Sequence, residues 1–405
     1  MLARLRSAQE EYPRQFWLLF WGMMISTIGS SMVWPFLMIY VSEKLQLPLS
    51  TITSLMTVNA ISGLIFSFIA GPVADRIGRK RIMVISLITD GMAFLLLSQA
   101  SSYVAFLALM ALRGAINPLY RVGADAMMAD LIEPQKRADA YSLLRMSNNI
   151  GVALGPSIGG FIAGVSYSLA FLTACIGMVT YGVLVLSQAR ETLPQKAEKG
   201  EPEHFGGYDR ILRDRPFIRF VFAFLLVSVV ASMVWVLLSV YAKQNYNVPE
   251  SQYGFIATTN ALMVVFFQYL VTQKTKLHSP LPVLALGALF YAIGGASIAL
   301  GRGFWGFWLS MVIMTVGELI MSPTGSTYVA NLAPADMRGR YMSLYGLSSS
   351  LATGIGPLLG GFLNDNIAPV AIWYGAGVFG LIGTLAFLAL TIRQRRTSNT
   401  IPASS

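Results

Sequence analysis

The sequence holds one cysteine, Cys175, and two histidines, His204 and His278. One cysteine excludes an internal disulfide framework, and no Cys/His cluster is present to seat a structural metal. No cofactor and no metal is therefore expected. Charge is also scarce: only 12% of the 405 residues are Asp, Glu, Lys or Arg, against about 25% in ordinary soluble domains. No His, Cys or acid pair with catalytic spacing falls within the long apolar stretches, which disfavours an enzyme. What fills the chain instead is 55% hydrophobic residues and a mean hydropathy of +0.61. Such a composition points to a chain that lives in a bilayer.

A helix that crosses a bilayer needs about 20 predominantly apolar residues. Twelve stretches qualify: 15–41, 51–73, 81–99, 103–130, 139–164, 167–187, 216–242, 251–272, 280–300, 304–330, 339–363 and 369–392. We number them spans 1 to 12. The basic residues ahead of span 1 superficially resemble a signal peptide. The apolar stretch after them is too long, with no evident small-x-small cleavage site, so it is read as a retained first span. The connections are short except at 188–215, which is polar and carries Gln195-Lys196-Ala197-Glu198-Lys199. The expected organisation is a six-helix bundle over 1–187, a cytoplasmic linker over 188–215 with a short surface helix near Tyr208–Arg215, and a second six-helix bundle over 216–405.

One fixed offset relates the two halves. Ser31-Met32-Val33-Trp34 returns 201 positions later as Ser232-Met233-Val234-Trp235, and Tyr40 returns as Tyr241. Gly155-Pro156-x-x-Gly159-Gly160 returns as Gly356-Pro357-x-x-Gly360-Gly361 at the same offset, and Ala129-x-Leu131, Arg137 and Ser142-Leu143 return as Ala330-x-Leu332, Arg338 and Ser343-Leu344. An offset that survives so many helices and loops implies two copies of one architecture. In an apolar chain, paired halves are the signature of a transporter that rocks one half against the other around a central site.

The formal net charge of +10 could suggest nucleic acid, but its distribution excludes that reading. With the N-terminus inside, the inner segments hold 23 of the 29 Lys and Arg, and the outer loops hold three, Lys44, Lys243 and Arg302. The remaining three, Arg113, Arg121 and Arg145, lie inside spans. This bias follows the positive-inside rule and places both termini in the cytoplasm of a cell whose inner membrane holds the protein. Trp17, Trp21, Trp305, Trp308 and Trp373 fall near span ends, where aromatic belts form.

Two motifs carry a family resemblance. Gly71-Pro72-Val73-Ala74-Asp75-Arg76-Ile77-Gly78-Arg79-Lys80-Arg81 joins spans 2 and 3. Its glycines permit a tight turn, and Asp75 suits a helix N-terminus or a neighbouring Arg. The corresponding segment of the second half, 272–276, lacks the pattern. Gly151 to Gly160 in span 5 combines small residues, which let backbones approach, with a helix-bending proline. The first resembles the loop 2–3 signature of the major facilitator superfamily. The second is similar to the antiporter motif of its twelve-helix drug–proton branch. The resemblance implies an all-α membrane fold of twelve helices in two pseudo-symmetric bundles, with a cytoplasmic latch formed by Gly71, Asp75, Arg76, Gly78 and Arg79. It also implies that spans 3, 6, 9 and 12 are peripheral.

Charged and polar residues within the spans mark candidate sites. Span 4 carries Arg113, Asn117, Arg121 and Asp125 four residues apart, one slowly drifting stripe. A charge at the bilayer centre costs about 2.5–3.5 kcal/mol on insertion scales, so the stripe must face protein or water. Arg113 followed by Gly114 fits the functional arginine position that the family places in span 4. An Arg121–Asp125 salt bridge is the structural alternative. Asp90 in span 3 matches Arg113 in depth and is a plausible buried partner. Arg145 matches Asp125 in depth, and their pairing would extend the latch.

Glu318, central in span 10, is the sharpest single residue. The offset maps it onto Asn117, which puts both in the expected central cavity. A poorly solvated carboxyl there can bind and release a proton. A structural glutamate hydrogen-bonded to a neighbouring helix is the alternative. Trp34 and Trp235 suit stacking on flat or cationic ligands, or simple packing. The 20 methionines offer adaptable apolar surface.

The expected function is proton-coupled export of small lipophilic, often cationic compounds. Glu318, Asp125 and Asp90 are the proton-coupling candidates, and Arg113, Asn117, Glu318, Trp34 and Trp235 line the substrate cavity. A lipid or glycolipid flippase and a proton-coupled nutrient importer are the alternatives. The expected partners are the substrate, protons and membrane lipids, with no nucleic acid and a monomeric chain.

Overall fold

The computed structural model describes residues 12–193, 208–334 and 337–399. Arg4, Arg6, the middle of the linker with His204, and the final residues lie outside the described residues. Among the described residues the fold is all helix, with no strand. Span 1 is a broken helix: Arg14–Val33, a 3-10 turn Trp34–Phe36, then Leu37–Leu45. Pro35 in that turn has no N–H and cannot continue a regular helix. Spans 2 to 6 are Leu49–Ile77, Arg79–Gln99, Tyr103–Leu131, Arg137–Val165 and Tyr167–Gln188. A short helix, Tyr208–Arg213, lies where the linker was expected to hold one. Spans 7 to 12 are Arg215–Tyr246, Glu250–Thr275, Pro280–Ser297, Gly303–Leu332, Arg338–Asn366 and Ala371–Asn399.

Ten of these helical segments are long and apolar enough to cross a membrane. The other two long helices are spans 5 and 11. Each has 29 residues, ample for a crossing. They fall short in apolar character because both carry the Gly-Pro-x-x-Gly-Gly motif and a run of polar residues in place of Leu and Ile.

The chain forms two compact units. The first contains spans 1, 3, 4, 5 and 6, span 2 from Val58 onward, and the segment Pro249–Ala261 that opens span 8. The second contains spans 7, 9, 10, 11 and 12, the rest of span 8, and the segment Leu47–Thr57 that opens span 2. Two helices are thus shared, each giving its first turns to one unit and its remainder to the other.

Both units obey the same packing scheme. In the first, span 1 packs on spans 5 and 6, and span 3 on spans 4 and 6. In the second, span 7 packs on spans 11 and 12, and span 9 on spans 10 and 12. The 201-residue offset holds at atomic detail. A Cβ on Gly155 would overlap Ser31, and one on Gly356 would overlap Ser232. Thr258 Oγ1 donates to the Ala153 carbonyl at 3.0 Å, and Thr57 Oγ1 donates to the Gly354 carbonyl at 2.6 Å. Spans 1 and 7 both end in a left-handed residue, Gln46 and Asn247. The repeated motif is therefore a packing device: its small residues seat span 5 on span 1 and span 11 on span 7. Gly159 faces the Met32 backbone and Gly360 the Leu237 side chain. Gly160 and Gly361 face the opening turns of spans 8 and 2.

Several sequence expectations change. Gly71 makes no turn: it is helical, and span 2 continues through Pro72 to Ile77. The turn falls at Gly78 alone, with φ of 101°, a conformation other residues rarely adopt. Thr272–Thr275 is the last turn of span 8 rather than a loop. Trp373 is not a belt residue: it is 0% exposed and packs edge-on against Tyr241 at 5.2 Å. Trp21 and Trp305 are exposed as a belt requires.

Candidate functional site

Span 4 is shaped by its glycine and by its neighbour across the bundle. Gly114 leaves room for the Asn59 carbonyl of span 2, and Asn59 Nδ2 donates to the Met110 carbonyl at 2.9 Å. This close seating brings Arg113 to the edge of span 3. Its Nε donates to Asp90 Oδ1 at 2.7 Å, with both side chains largely buried. The guanidinium also lies over the Phe94 ring, 3.8 Å from its centroid. Arg113 and Asp90 therefore satisfy each other within the first unit. A buried charge is tolerated when it is paired and hydrogen-bonded.

The rest of the stripe behaves differently. Asn117, Arg121 and Asp125 are all exposed. Among the described residues no ion pair joins Arg121 to Asp125. The expected Asp125–Arg145 pair is likewise not made, and Arg145 is exposed. Three polar side chains on one exposed face of an otherwise apolar helix need contact with water or a polar ligand.

In the second unit, span 10 positions Glu318. Gly317 allows span 10 to press on span 9, where an added Cβ would lie 2.7 Å from the Gly287 carbonyl and 2.9 Å from the Tyr291 ring. Gln268 Nε2 of span 8 donates to the Leu319 carbonyl at 2.9 Å, which fixes the helix one residue beyond Glu318. Glu318 is half-buried, within electrostatic reach of the buried Tyr291 hydroxyl. Trp34 and Trp235 are half-buried too. They differ locally, because Trp34 opens the 3-10 turn whereas Trp235 lies within a continuous helix.

The loop between spans 2 and 3 is held by residues that sequence reasoning missed. Arg79 pairs with Asp130 at the end of span 4. The Glu191 carboxylate, just after span 6, accepts from the backbone N–H of Arg79 at 2.9 Å and of Lys80 at 3.2 Å. It also accepts from the N–H groups of Thr192 and Leu193. Glu191 thus caps the start of span 3, where the helix dipole favours an anion. Gly78 leaves space for this carboxylate, which a Cβ at that position would overlap. Asp75 and Arg76 are exposed. Asp130 lay inside the repeated segment and was legible as a charge at a span end. Glu191 gave no comparable signal, because its role depends on a fold that returns span 6 to the start of span 3.

A bilayer-spanning chain of two repeated six-helix bundles, with paired charges inside its spans and a capped loop between spans 2 and 3, has the build of a secondary transporter. The sequence profile of the Major Facilitator Superfamily matches residues 19–244 and 220–405, and the chain belongs to that family. It is a multi-pass membrane transporter rather than an enzyme. Among its relatives, a Na(+), Li(+), K(+)/H(+) antiporter of Planococcus maritimus is 28% identical, over 88% of this chain and 90% of that protein. The quinolone resistance protein NorA of Staphylococcus aureus is 24% identical, over 90% of this chain and 94% of that one. Both relatives fit the drug–proton antiporter branch suggested by the span 5 motif. Among solved structures, a POT family transporter in complex with 5-aminolevulinic acid superposes with a TM-score of 0.78 at 17% identity, covering 94% of this chain and 96% of that one. A bacterial homolog of the human lysosomal transporter Spinster gives a TM-score of 0.74 at 13% identity, covering 93% and 96%. These likenesses establish the fold.

Proposed function

We propose that this protein exchanges protons for small lipophilic or cationic compounds and exports them across the cell membrane. The halves 1–187 and 216–405 would alternate around a central cavity, joined by the 188–215 linker, with both termini in the cytoplasm. The observation that carries this reading is Glu318, a half-buried carboxylate in the middle of span 10, positioned by Gly317 and Gln268. A carboxylate at that depth neutralises a cationic substrate or takes up a proton, but not both at once. Competition of that kind is the basis of exchange. Asp125, on the exposed stripe with Asn117 and Arg121, is the second proton site. Asp90 is held by Arg113, so its protonation would free the arginine. Arg113 then acts through this pair, and Asn117, Trp34 and Trp235 supply the polar and aromatic cavity wall. One proton moving through about 100 mV supplies about 2.3 kcal/mol, enough to sustain a substantial substrate gradient.

The Planococcus relative supports a second reading, in which monovalent cations are the exchanged ligand. A proton-flux assay in proteoliposomes separates the two. Proton movement should follow addition of lipophilic cationic dyes and not of sugars or lipids. A response to sodium, lithium or potassium salts alone would establish the second reading. A response to sugars alone would overturn export of lipophilic compounds.

A further inference from the structure

The first turns of span 8, Pro249–Ala261, belong to the first compact unit. They are fastened there by backbone proximity and by side chains. Gly160 of span 5 lies so close that a Cβ on it would overlap the Glu250 carbonyl, and a Cβ on Gly254 would overlap the Pro156 carbonyl. Thr258 donates to the Ala153 carbonyl at 3.0 Å and shares a hydrogen bond of 2.7 Å with Ser157. Most of this has a counterpart in the second unit, where Thr57 donates to the Gly354 carbonyl and Gly361 faces Ser50.

Glu250 has no such counterpart, since the residue 201 positions earlier is Leu49. The second unit fastens its strap by a carboxylate from the other side: Asp365 of span 11 accepts from the N–H groups of Leu49 at 3.1 Å and Ser50 at 2.8 Å. Glu250 is only 4% exposed, and its Oε1 accepts from the Tyr167 hydroxyl of span 6 at 2.5 Å. A buried carboxylate is costly, and symmetric packing does not require one here.

We propose that Glu250 is a proton-binding residue that fastens the opening turns of span 8 to spans 5 and 6, and that its protonation releases them. Ionised, it accepts a charge-assisted hydrogen bond from Tyr167 and lies in the first turn of span 8, where the helix dipole favours an anion. Neutral, it loses both gains. Among the described residues, the titratable and charged groups near the Tyr167–Glu250 pair include the following. Span 6 contributes Tyr167. The end of span 1 contributes Tyr40, whose ring lies 5.3 Å from that of Tyr167; Lys44, which donates to the Tyr40 hydroxyl at 2.7 Å; and Glu43, within electrostatic reach of Tyr167. Span 5 presents only backbone and small side chains at Gly160. The ligand is a proton, taken up by the Glu250 carboxylate and returned to water when the strap closes.

The inference deepens the proton-coupled reading and rests on it, but its test reads strap opening rather than transport. In a Cys175→Ser background, Ala257→Cys places a reporter at a site only 2% exposed. Its maleimide labelling in proteoliposomes is normalised to that of Gln252→Cys on the exposed face of the same turns. Normalised labelling should rise at least about fivefold from pH about 7.5 to about 5.5, the scale of a modest coupling energy. Glu250→Gln should label fast at both values. If that variant does not reach the membrane, Tyr167→Phe removes only the hydroxyl and should reduce the pH ratio. Labelling that ignores pH in the parent, or a full pH ratio retained in Glu250→Gln or Tyr167→Phe, overturns the proposal. A ratio lost in Glu318→Gln would assign the response to Glu318 and overturn it as well. Loss of transport by Glu318→Gln with the labelling ratio intact leaves the strap assignment standing on its own.

Discussion

Arg113 reaches Asp90 across spans 4 and 3 with an Nε to Oδ1 distance of 2.7 Å. Both side chains are largely buried, and the guanidinium is also stacked on Phe94. Removing one partner leaves a charge with no counter-ion in an apolar bundle. Asp90→Asn should therefore destabilise the protein by about 3–5 kcal/mol. Replacing both, as Asp90→Leu with Arg113→Leu, should recover much of that loss. Thermal unfolding in detergent measures both. Equal melting temperatures for Asp90→Asn and the parent would mean that Arg113 finds another partner or faces water.

Glu318→Gln keeps the size and hydrogen-bonding capacity of the side chain and removes its titratable proton. Substrate movement driven by a pH gradient should fall to background while expression and melting temperature stay near those of the parent. Gln268→Leu, which removes the hydrogen bond to the Leu319 carbonyl, should lower turnover less, since one hydrogen bond contributes about 0.5–1.5 kcal/mol. Full gradient-driven transport by Glu318→Gln would transfer the proton site to Asp125.

Most of the fold was legible because the bilayer sets helix length. Most expected spans match a helix to within a few residues, although span 1 is broken at Trp34–Phe36 and the span 12 helix runs on to Asn399; the 201-residue offset reappears as matching contacts, such as Thr57 with Gly354 and Thr258 with Ala153. What the sequence hid were relations between residues far apart in the chain. Glu191 caps span 3 from beyond span 6, and Tyr167 meets Glu250 from another part of the chain. Depth matching found Asp90 for Arg113 but suggested Asp125 for Arg145 with equal force. Depth gives height along the bundle and not the direction in which a side chain points. The same limit applies to Trp373, whose place near a span end did not reveal its burial against Tyr241.

Gly78 and Asp75 should separate stability from switching where span 2 passes into span 3. Gly78 holds a φ of 101°, and a side chain there costs about 1–3 kcal/mol in strain. It would also crowd the Glu191 carboxylate that caps span 3. Gly78→Ala should lower the melting temperature, and Glu191→Ala should do so by about 0.5–2 kcal/mol, as for other helix caps. Asp75 is exposed, so Asp75→Asn should leave stability unchanged while shifting the population toward the inward-open state and slowing turnover. Spin-label distances across the cytoplasmic face report that shift. Unchanged distances with normal transport would reduce Asp75 to an ordinary exposed residue in the last turn of span 2.

Trp34 and Trp235 stand at repeat-equivalent positions on spans 1 and 7, and both are half-buried. Half-burial leaves part of each indole free to meet a ligand. Stacking of an aromatic or cationic compound on such a face contributes about 0.5–2 kcal/mol. Trp34→Ala or Trp235→Ala should therefore weaken binding of lipophilic cations by roughly 2- to 30-fold, the equivalent of that energy range. Trp→Phe at either position should lose less, because a ring remains. The two sites should also differ. Trp34 begins a 3-10 turn next to Pro35, so its substitution also perturbs the break in span 1 and should lower the melting temperature. Trp235 lies within a continuous helix, so its substitution should act on binding with little effect on stability. The substrate-induced change in emission of the parent, compared with that of Trp34→Phe and of Trp235→Phe against the same background of the other five tryptophans, tests each in turn. An emission that ignores saturating substrate, together with normal affinity in the alanine variants, would assign both indoles to packing and leave the aromatic wall to other side chains.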